Sequence, residues 1–345
     1  MTSLTTRLTT LLGIKTPIVS APMALQEQGT LKSVALAVHR AGGFGFVALG
    51  YDGAPKLQAT LRSLRQQLSI PPDQPLPIGA GFIGWVGDRA SESEGDVLST
   101  ILEEHPKAIW LSFGIDLGKY VRRIREHNKK YRRNVLVFLQ ATSLEEALEA
   151  VNELKVDVLV VQGAEAGGHH SASAPPLSIF LSAVLAEIPV PDKGPGPVIL
   201  GAGGIHTGAQ LASLLTLGAS GAIIGTRLLF TPEIGYTSAK TQALLNAGLG
   251  STVSSTAFDE VRGTMGWPGD IEGRAIRNDI LKDREEWVEL EERRRRVVAG
   301  EGDRSIVMAG MGVGLTSELK SVEDTVKEYH EGAVLALGAA AQILS

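Results

Sequence analysis

Residues 157–170 read Asp157-Val-Leu-Val-Val-Gln162-Gly-Ala-Glu165-Ala-Gly167-Gly168-His169-His170, and the fold turns on this stretch. The first six residues, Asp157–Gln162, form a run of branched apolar side chains of strand length, short for a helix. The run breaks off into a turn of small residues that carries one acid and two adjacent histidines. A buried strand ending abruptly in a loop with titratable groups is how a barrel strand presents chemistry at its C-terminal end.

Seven further runs share this character: Pro17–Ala21, Phe44–Leu49, Pro77–Phe82, Ala108–Phe113, Asn134–Gln140, Pro197–Ala202 and Gly221–Thr226. They are apolar nearly throughout rather than alternating, as expected of strands covered on both faces. Helix-like segments at Leu31–Ala41, Leu57–Leu68, Asp96–Glu104, Lys119–Lys130, Ser143–Leu154, Pro176–Glu187 and Gly208–Leu217 separate most of them. In the first, Leu31, Val34, Ala35 and Val38 share one face, and Ser143 followed by Glu146 marks a capped start. Eight strands alternating with helices predict an α/β protein of the (β/α)8 TIM-barrel class. A doubly wound open sheet uses the same local pattern, but its nucleotide-binding glycine turn follows the first strand. Here that strand ends Ser20-Ala21-Pro22-Met23, and the glycine turns come after the seventh and eighth strands, where barrels hold phosphate.

Beyond the eighth strand the pattern changes. Residues 232–298 are charged and helix-rich, which predicts an inserted helical cap on the substrate side of the barrel mouth. The barrel itself would then comprise 1–231 and 299–345. The cap ends in Arg284-Glu-Glu-Trp-Val-Glu-Leu-Glu-Glu-Arg-Arg-Arg-Arg296, whose acids make its arginine run a solvated helix face. Ser305–Leu315 and an amphipathic helix over Val322–Leu344 follow.

Composition narrows the function classes. The 345 residues are 43% hydrophobic and 21% charged, an ordinary globular balance. A net charge of −5 speaks against nucleic-acid or membrane-surface partners. With no cysteine, disulfides, thiolate metal sites and a cysteine nucleophile are excluded, which fits a cytoplasmic enzyme. No apolar run reaches transmembrane length. The N-terminal Met-Thr-Ser-Leu-Thr-Thr-Arg-Leu-Thr-Thr-Leu-Leu-Gly has one Arg and no acid. It reads either as a barrel-capping segment or, as a weaker alternative, as a mitochondrial transit peptide. The closing Ile-Leu-Ser is not a peroxisomal signal.

Within the barrel, two turns can cradle phosphate: Gly201-Ala202-Gly203-Gly204-Ile205, which opens a helix near Gly208, and Ile224-Gly225-Thr226-Arg227. Backbone N–H groups in such turns bind anions, glycine lets the chain approach closely, and the Thr226 hydroxyl adds a donor. The extended backbone of Ala21-Pro22-Met23 can border a flat ring. Gln140 and Gln162, at the ends of the fifth and sixth strands, can meet the polar edge of a heterocycle. His169 and His170 follow two glycines, and because neighbours point apart only one faces a ligand, as acid, base or anion donor. Glu165 either supports the loop by accepting backbone N–H groups or is itself the base. No metal-ligand spacing and no GxSxG elbow is present.

Together, Ala21-Pro22-Met23, Gln162-Gly-Ala-Glu-Ala-Gly-Gly-His169, Gly201-Ala-Gly-Gly-Ile205 and Ile223-Ile224-Gly225-Thr226 resemble the nitronate monooxygenases, formerly 2-nitropropane dioxygenases. The resemblance runs on through Met308–Gly314 and the last helix, so it covers essentially the whole chain. It implies FMN as cofactor, with its phosphate at Gly203, Gly204 and Ile223 to Thr226, and its ring and side chain against Ala21, Pro22, Met23, Gln162, Gly167 and Gly168. It implies His169 as the catalytic residue, and an alkyl nitronate or neutral nitroalkane and dioxygen as substrates, giving a carbonyl compound and nitrite. The sequence departs from the family at Ser171, where glycine is frequent, in the apolar Gly79–Trp85 turn, and at His206, where Asp is common. These departures bear on the substrate more than on the cofactor. An NAD(P)H-dependent FMN reductase of the same superfamily, acting on quinones or an enoyl-acyl carrier, would use the same flavin and histidine. A flavin-storage barrel is a third possibility.

Overall fold

The computed structural model describes residues 3–23, 30–48, 53–89, 96–190 and 196–343. Eight parallel strands form one sheet: β1 (Ile18–Ser20), β2 (Phe46–Ala48), β3 (Leu76–Ile83), β4 (Pro106–Ser112), β5 (Leu136–Ala141), β6 (Val158–Gln162), β8 (Val198–Ala202) and β9 (Gly221–Ile224). The sheet closes between its first two strands: Phe44, just before β2, bridges Val19, and the Ser20 amide donates to the Phe44 carbonyl at 3.0 Å. The predicted (β/α)8 barrel is therefore the fold. Leu49, the end of the second predicted strand, and Leu344, the end of the last predicted helix, lie outside the described residues.

Helices α1 (Arg7–Leu12), α2 (Thr30–Arg40), α3 (Ala54–Gln67), α4 (Gly84–Arg89), α5 (Val97–Glu103), α6 (Gly118–Tyr131) and α7 (Leu144–Asn152) accompany the first six barrel strands. The helices α8 (Leu177–Glu187) and α9 (Gly208–Leu217) accompany the last two. Strand residues alternate between two apolar layers. Val158 and Val160 point into the barrel, whereas Leu159 and Val161 pack under the helices. Both faces being dry explains the unbroken apolar runs, since each fully buried aliphatic side chain contributes about 1.5–3 kcal/mol. Inside, Phe46 meets Trp110 and Phe138 edge-on, with ring centroids 5.3 and 5.0 Å apart, and the aromatic cluster fills the barrel. The floor is α1: Leu8 is fully buried in this inner cluster, with Leu11 and Leu12 against it. That is the barrel-capping reading of the N-terminal leucines.

The loop after β6 folds into a further strand, β7 (Gly168–Ser171). It pairs with β11 (Ile271–Ile276), which pairs in turn with β10 (Thr252–Ser255), to make a small antiparallel sheet. Residues 232–298 thus hold two strands besides α10 (Ser238–Asn246), α11 (Ala257–Arg262), α12 (Asp279–Glu285) and α13 (Leu290–Val298). The segment is helix-rich as expected, and its two strands escape a reading of the sequence because they are half-exposed and carry no apolar run. Their partner is also distant, Gly273 standing opposite His169.

The arginine run is not simply a solvated face. Arg293 is buried and donates to Glu260 at 2.8 Å, and Arg296 reaches the buried Asp283 at 2.7 Å. Those acids lie on α11 and α12, so the run is anchored by residues that the local pattern did not contain. The chain ends in α14 (Val322–Gln342), which packs on α9 and ties its Tyr329 hydroxyl to the Ile205 carbonyl at 3.0 Å. Among the described residues no helix is long and apolar enough to cross a membrane.

Candidate active site

A cavity opens at the C-terminal ends of the barrel strands. Its walls include Ala21, Pro22, Met23, Gln140, Gln162, Gly167, Gly168, His169, Gly203, Gly204, Ile223, Gly225 and Thr226. The residues singled out from sequence therefore converge, with three exceptions. Ile224 turns its side chain outward into the helix-facing core. His170 and Glu165 also lie off the wall.

The phosphate turns have the geometry an anion needs. Gly203 and Gly204 hold φ of +117° and +69°, conformations that side-chain-bearing residues rarely adopt. The N–H groups of Gly203, Gly204, Gly225 and Thr226 donate to nothing among the described residues. Four uncommitted amides from residues on the wall of one cavity are available to an anion. The Thr226 hydroxyl accepts from the Gly310 amide at 2.9 Å, which leaves its own proton to donate. These residues fit a phosphate-bearing cofactor.

The two glutamines act in series. Gln140 Nε2 donates to Gln162 Oε1 at 3.0 Å, and Gln162 Nε2 donates to the His169 carbonyl at 3.3 Å. Strand ends β5 and β6 thereby steady the histidine loop. Glu165 is loop support: its carboxylate accepts the Leu177 amide at 2.9 Å, at the start of α8, and its carbonyl accepts the Met311 amide at 3.0 Å. Gly167 is required sterically, because a Cβ there would stand 2.2 Å from the Gly310 nitrogen.

The paired histidines part as neighbours on a strand must. His170 is buried, meeting Ser254 at 3.0 Å and Arg274 at 3.3 Å through Nε2. Burial pushes its pKa down to about 4, against the hydrogen bond that its Nδ1–H donates to the Gly168 carbonyl, so it is a neutral structural group. His169 faces the cavity. Its Nε2 lies 3.0 Å from Asp259 Oδ2, and its ring stacks on Trp267 with centroids 3.5 Å apart and planes 16° from parallel. Burial alone would raise the Asp259 carboxyl, but hydrogen bonds from His169 and Thr264 outweigh it and hold the group below its ordinary value. Asp259 is thus a carboxylate that accepts from His169 Nε2–H, leaving Nδ1 as the ring nitrogen able to take a proton.

Sequence reasoning missed Asp259, Trp267, Phe113 and Arg262. Asp259 stands 90 positions from His169, on a helix whose acids look alike in sequence. Trp267 had a usable signal. It sits in Gly266-Trp267-Pro268-Gly269, a turn with no local apolar partner, and such a ring must pack on something distant. Here it packs on His169, Trp85 and Phe113.

A family model described as nitronate monooxygenase matches residues 5–332. The chain belongs to the nitronate monooxygenase family. Membership makes it an oxidoreductase, and the relatives agree. A nitronate monooxygenase of Neurospora crassa is 30% identical, covering 92% of this chain and 88% of that one. Nitronate monooxygenase npaC of Metarhizium robertsii is 32% identical, covering 92% and 91%. In fold, the chain is similar to FabK of Thermotoga maritima, with TM-score 0.78, 22% identity and coverage of 99% and 100%. A nitroalkane oxidase of Streptomyces ansochromogenes gives TM-score 0.74, 24% identity and coverage of 96% and 99%.

Proposed function

We propose that this protein binds FMN and oxidises alkyl nitronates, and neutral nitroalkanes after removal of their α-proton, with dioxygen to a carbonyl compound and nitrite. Bound FMN would supply the redox chemistry, passing electrons from the substrate to dioxygen. Everything else falls to the chain. Gly203, Gly204, Ile223, Gly225 and Thr226 would hold the phosphate through backbone amides and one hydroxyl. Ala21, Pro22, Met23, Gln162, Gly167 and Gly168 would border the ring and its chain, on the wall between the phosphate corner and His169.

The observation that carries the reading is the Asp259–His169 pair at that wall, with Nε2 3.0 Å from the carboxylate and Nδ1 in no hydrogen bond among the described residues. The imidazole accepts the α-proton of a nitroalkane at Nδ1, and the Asp259 carboxylate stabilises the cation so formed. Trp267 covers one face of the ring and fixes its plane. Arg262 and Trp267 on the wall, and Asp259 behind His169, support reading residues 232–298 as the cap on the substrate side. We place the reaction in the cytoplasm.

The visible absorption spectrum of the purified protein tests the cofactor, and oxygen uptake with a panel of alkyl nitronates tests the reaction. Replacing His169 by Asn is expected to abolish turnover of neutral nitroalkanes by about 10²–10⁴-fold while FMN stays bound. Unchanged turnover removes His169 from the reaction. Anaerobic mixing separates this reading from an NAD(P)H-dependent reductase: flavin bleached by NADH but left oxidised by nitronates overturns it.

A further inference from the structure

The arginines of the 232–298 segment nearly all have carboxylate partners. Arg277 pairs with Glu285, Arg284 and Arg293 with Glu260, Arg294 with Glu291, Arg295 with Glu292, and Arg296 with Asp283. Arg274 has no such partner but bonds the Ala164 carbonyl and His170. Arg262 differs from all of these. It makes no hydrogen bond and no ion pair among the described residues, and its Nε is buried without an acceptor. It is also the one lysine or arginine on the cavity wall among the described residues.

Its position is specific. Arg262 follows Asp259 by three residues on α11, so the two share a helix face and Arg262 stands beside the carboxylate that orients His169. The Arg262 charge helps hold the Asp259 carboxyl low, but the hydrogen bonds that this carboxylate accepts come from His169 and Thr264, not from Arg262. A buried Nε–H with no acceptor among the described residues is suited to an acceptor that a ligand brings. The planar fork of a guanidinium matches a planar anion with two oxygens on one atom.

We propose that Arg262 is a specificity-determining residue, holding the two oxygens of the substrate in their anionic, nitronate form and selecting that form over the neutral nitroalkane. This rests on the nitronate reading for the substrate, but the anion site itself does not. In a nitronate the oxygens share a full negative charge, whereas in a nitroalkane they carry partial charge offset by the adjacent nitrogen. Loss of the guanidinium therefore weakens the anion much more than the neutral molecule.

The test uses the full-length, cofactor-loaded protein with R262Q and R262K. Nitrate is a planar oxyanion that does not react, and its binding is read by calorimetry, which needs neither turnover nor a coloured group. R262Q is expected to weaken nitrate binding and raise KM for ethyl nitronate about tenfold or more, with kcat within about threefold and KM for nitroethane within about twofold. R262K should recover part of the loss, and added chloride should weaken nitrate binding in the wild type but not in R262Q. Unchanged nitrate affinity in both variants overturns the proposal, as does an equal loss on nitronate and nitroethane, which would mark a structural role. If R262Q does not fold, R262K decides by the same two comparisons. Nitrate binding that depends on Arg262 in a protein inert towards nitronates would keep the anion site and remove the nitronate reading.

Discussion

Residue by residue, the site is a histidine made directional by its neighbours. Asp259 fixes which ring nitrogen carries the proton, and Trp267 fixes the plane of the ring. Replacing Asp259 by Asn keeps the shape but offers an amide that can hold the wrong tautomer. Oxygen uptake with nitroethane is expected to fall about 10²–10³-fold, and uptake with ethyl nitronate, which has no proton to lose, to fall far less. Equal losses on both substrates would refute the directional role. His169 was legible in the sequence because two glycines and a strand end frame it. Asp259 was not, since nothing local distinguishes it from Glu260 beside it, and only the tertiary fold buries one fully and leaves the other partly exposed. The choice between His169 and His170 was likewise settled by strand pairing rather than by composition.

At the scale of elements, two junctions hold the site together. The first is the contact between the histidine loop and residues 309–310. Gly167→Ala would drive a methyl group against the Gly310 amide, which itself bonds Thr226. A loss of about 1–3 kcal/mol in stability, measured by denaturant midpoint, is expected together with a lower flavin-to-protein absorbance ratio. The second junction is Asp283, which accepts from both Arg296 and Arg304 at 2.7 Å while itself being buried. Removing the acid strands two cations, so Asp283→Ala should destabilise the protein by about 3 kcal/mol. Hydrogen bonds from Arg304 and Arg296 hold this carboxyl below its usual value of 3.8, despite burial acting the other way. Its contribution is full above that value and drains as the pH falls below it. Unfolding curves of wild type and Asp283→Ala should therefore converge in strong acid.

For the molecule as a whole, acid sensitivity should begin well above the carboxylate range. Burial pushes both His170 and His206 down to about 4 from the usual 6.5, so both are neutral in the native state at pH 7. The unfolded chain takes up protons at a higher pH than the native one, so stability is full above about 6.5 and declines towards 4. Each should cost roughly 2 kcal/mol by pH 5, read as a fall in denaturant midpoint between pH 7 and pH 5. A flat profile would show that one or both are charged in the native state. The barrel itself was legible because two dry faces leave no room for polar residues in a strand. The sheet of β7, β10 and β11 was hidden because half-wet strands carry mixed residues, and their pairing spans about a hundred positions.

That small sheet has a consequence for how the enzyme could change. Residues 169 and 170 project to opposite sides of β7, and the partner opposite His169 is Gly273. Sliding β7 by a single residue, so that His170 stood opposite Gly273, would carry that imidazole to the cavity side and move His169 into the place of Gly168, opposite Arg274. Which of two identical side chains would perform the proposed chemistry is therefore written in an alignment of strands, and a one-residue insertion away from the cavity could hand the task from one to the other.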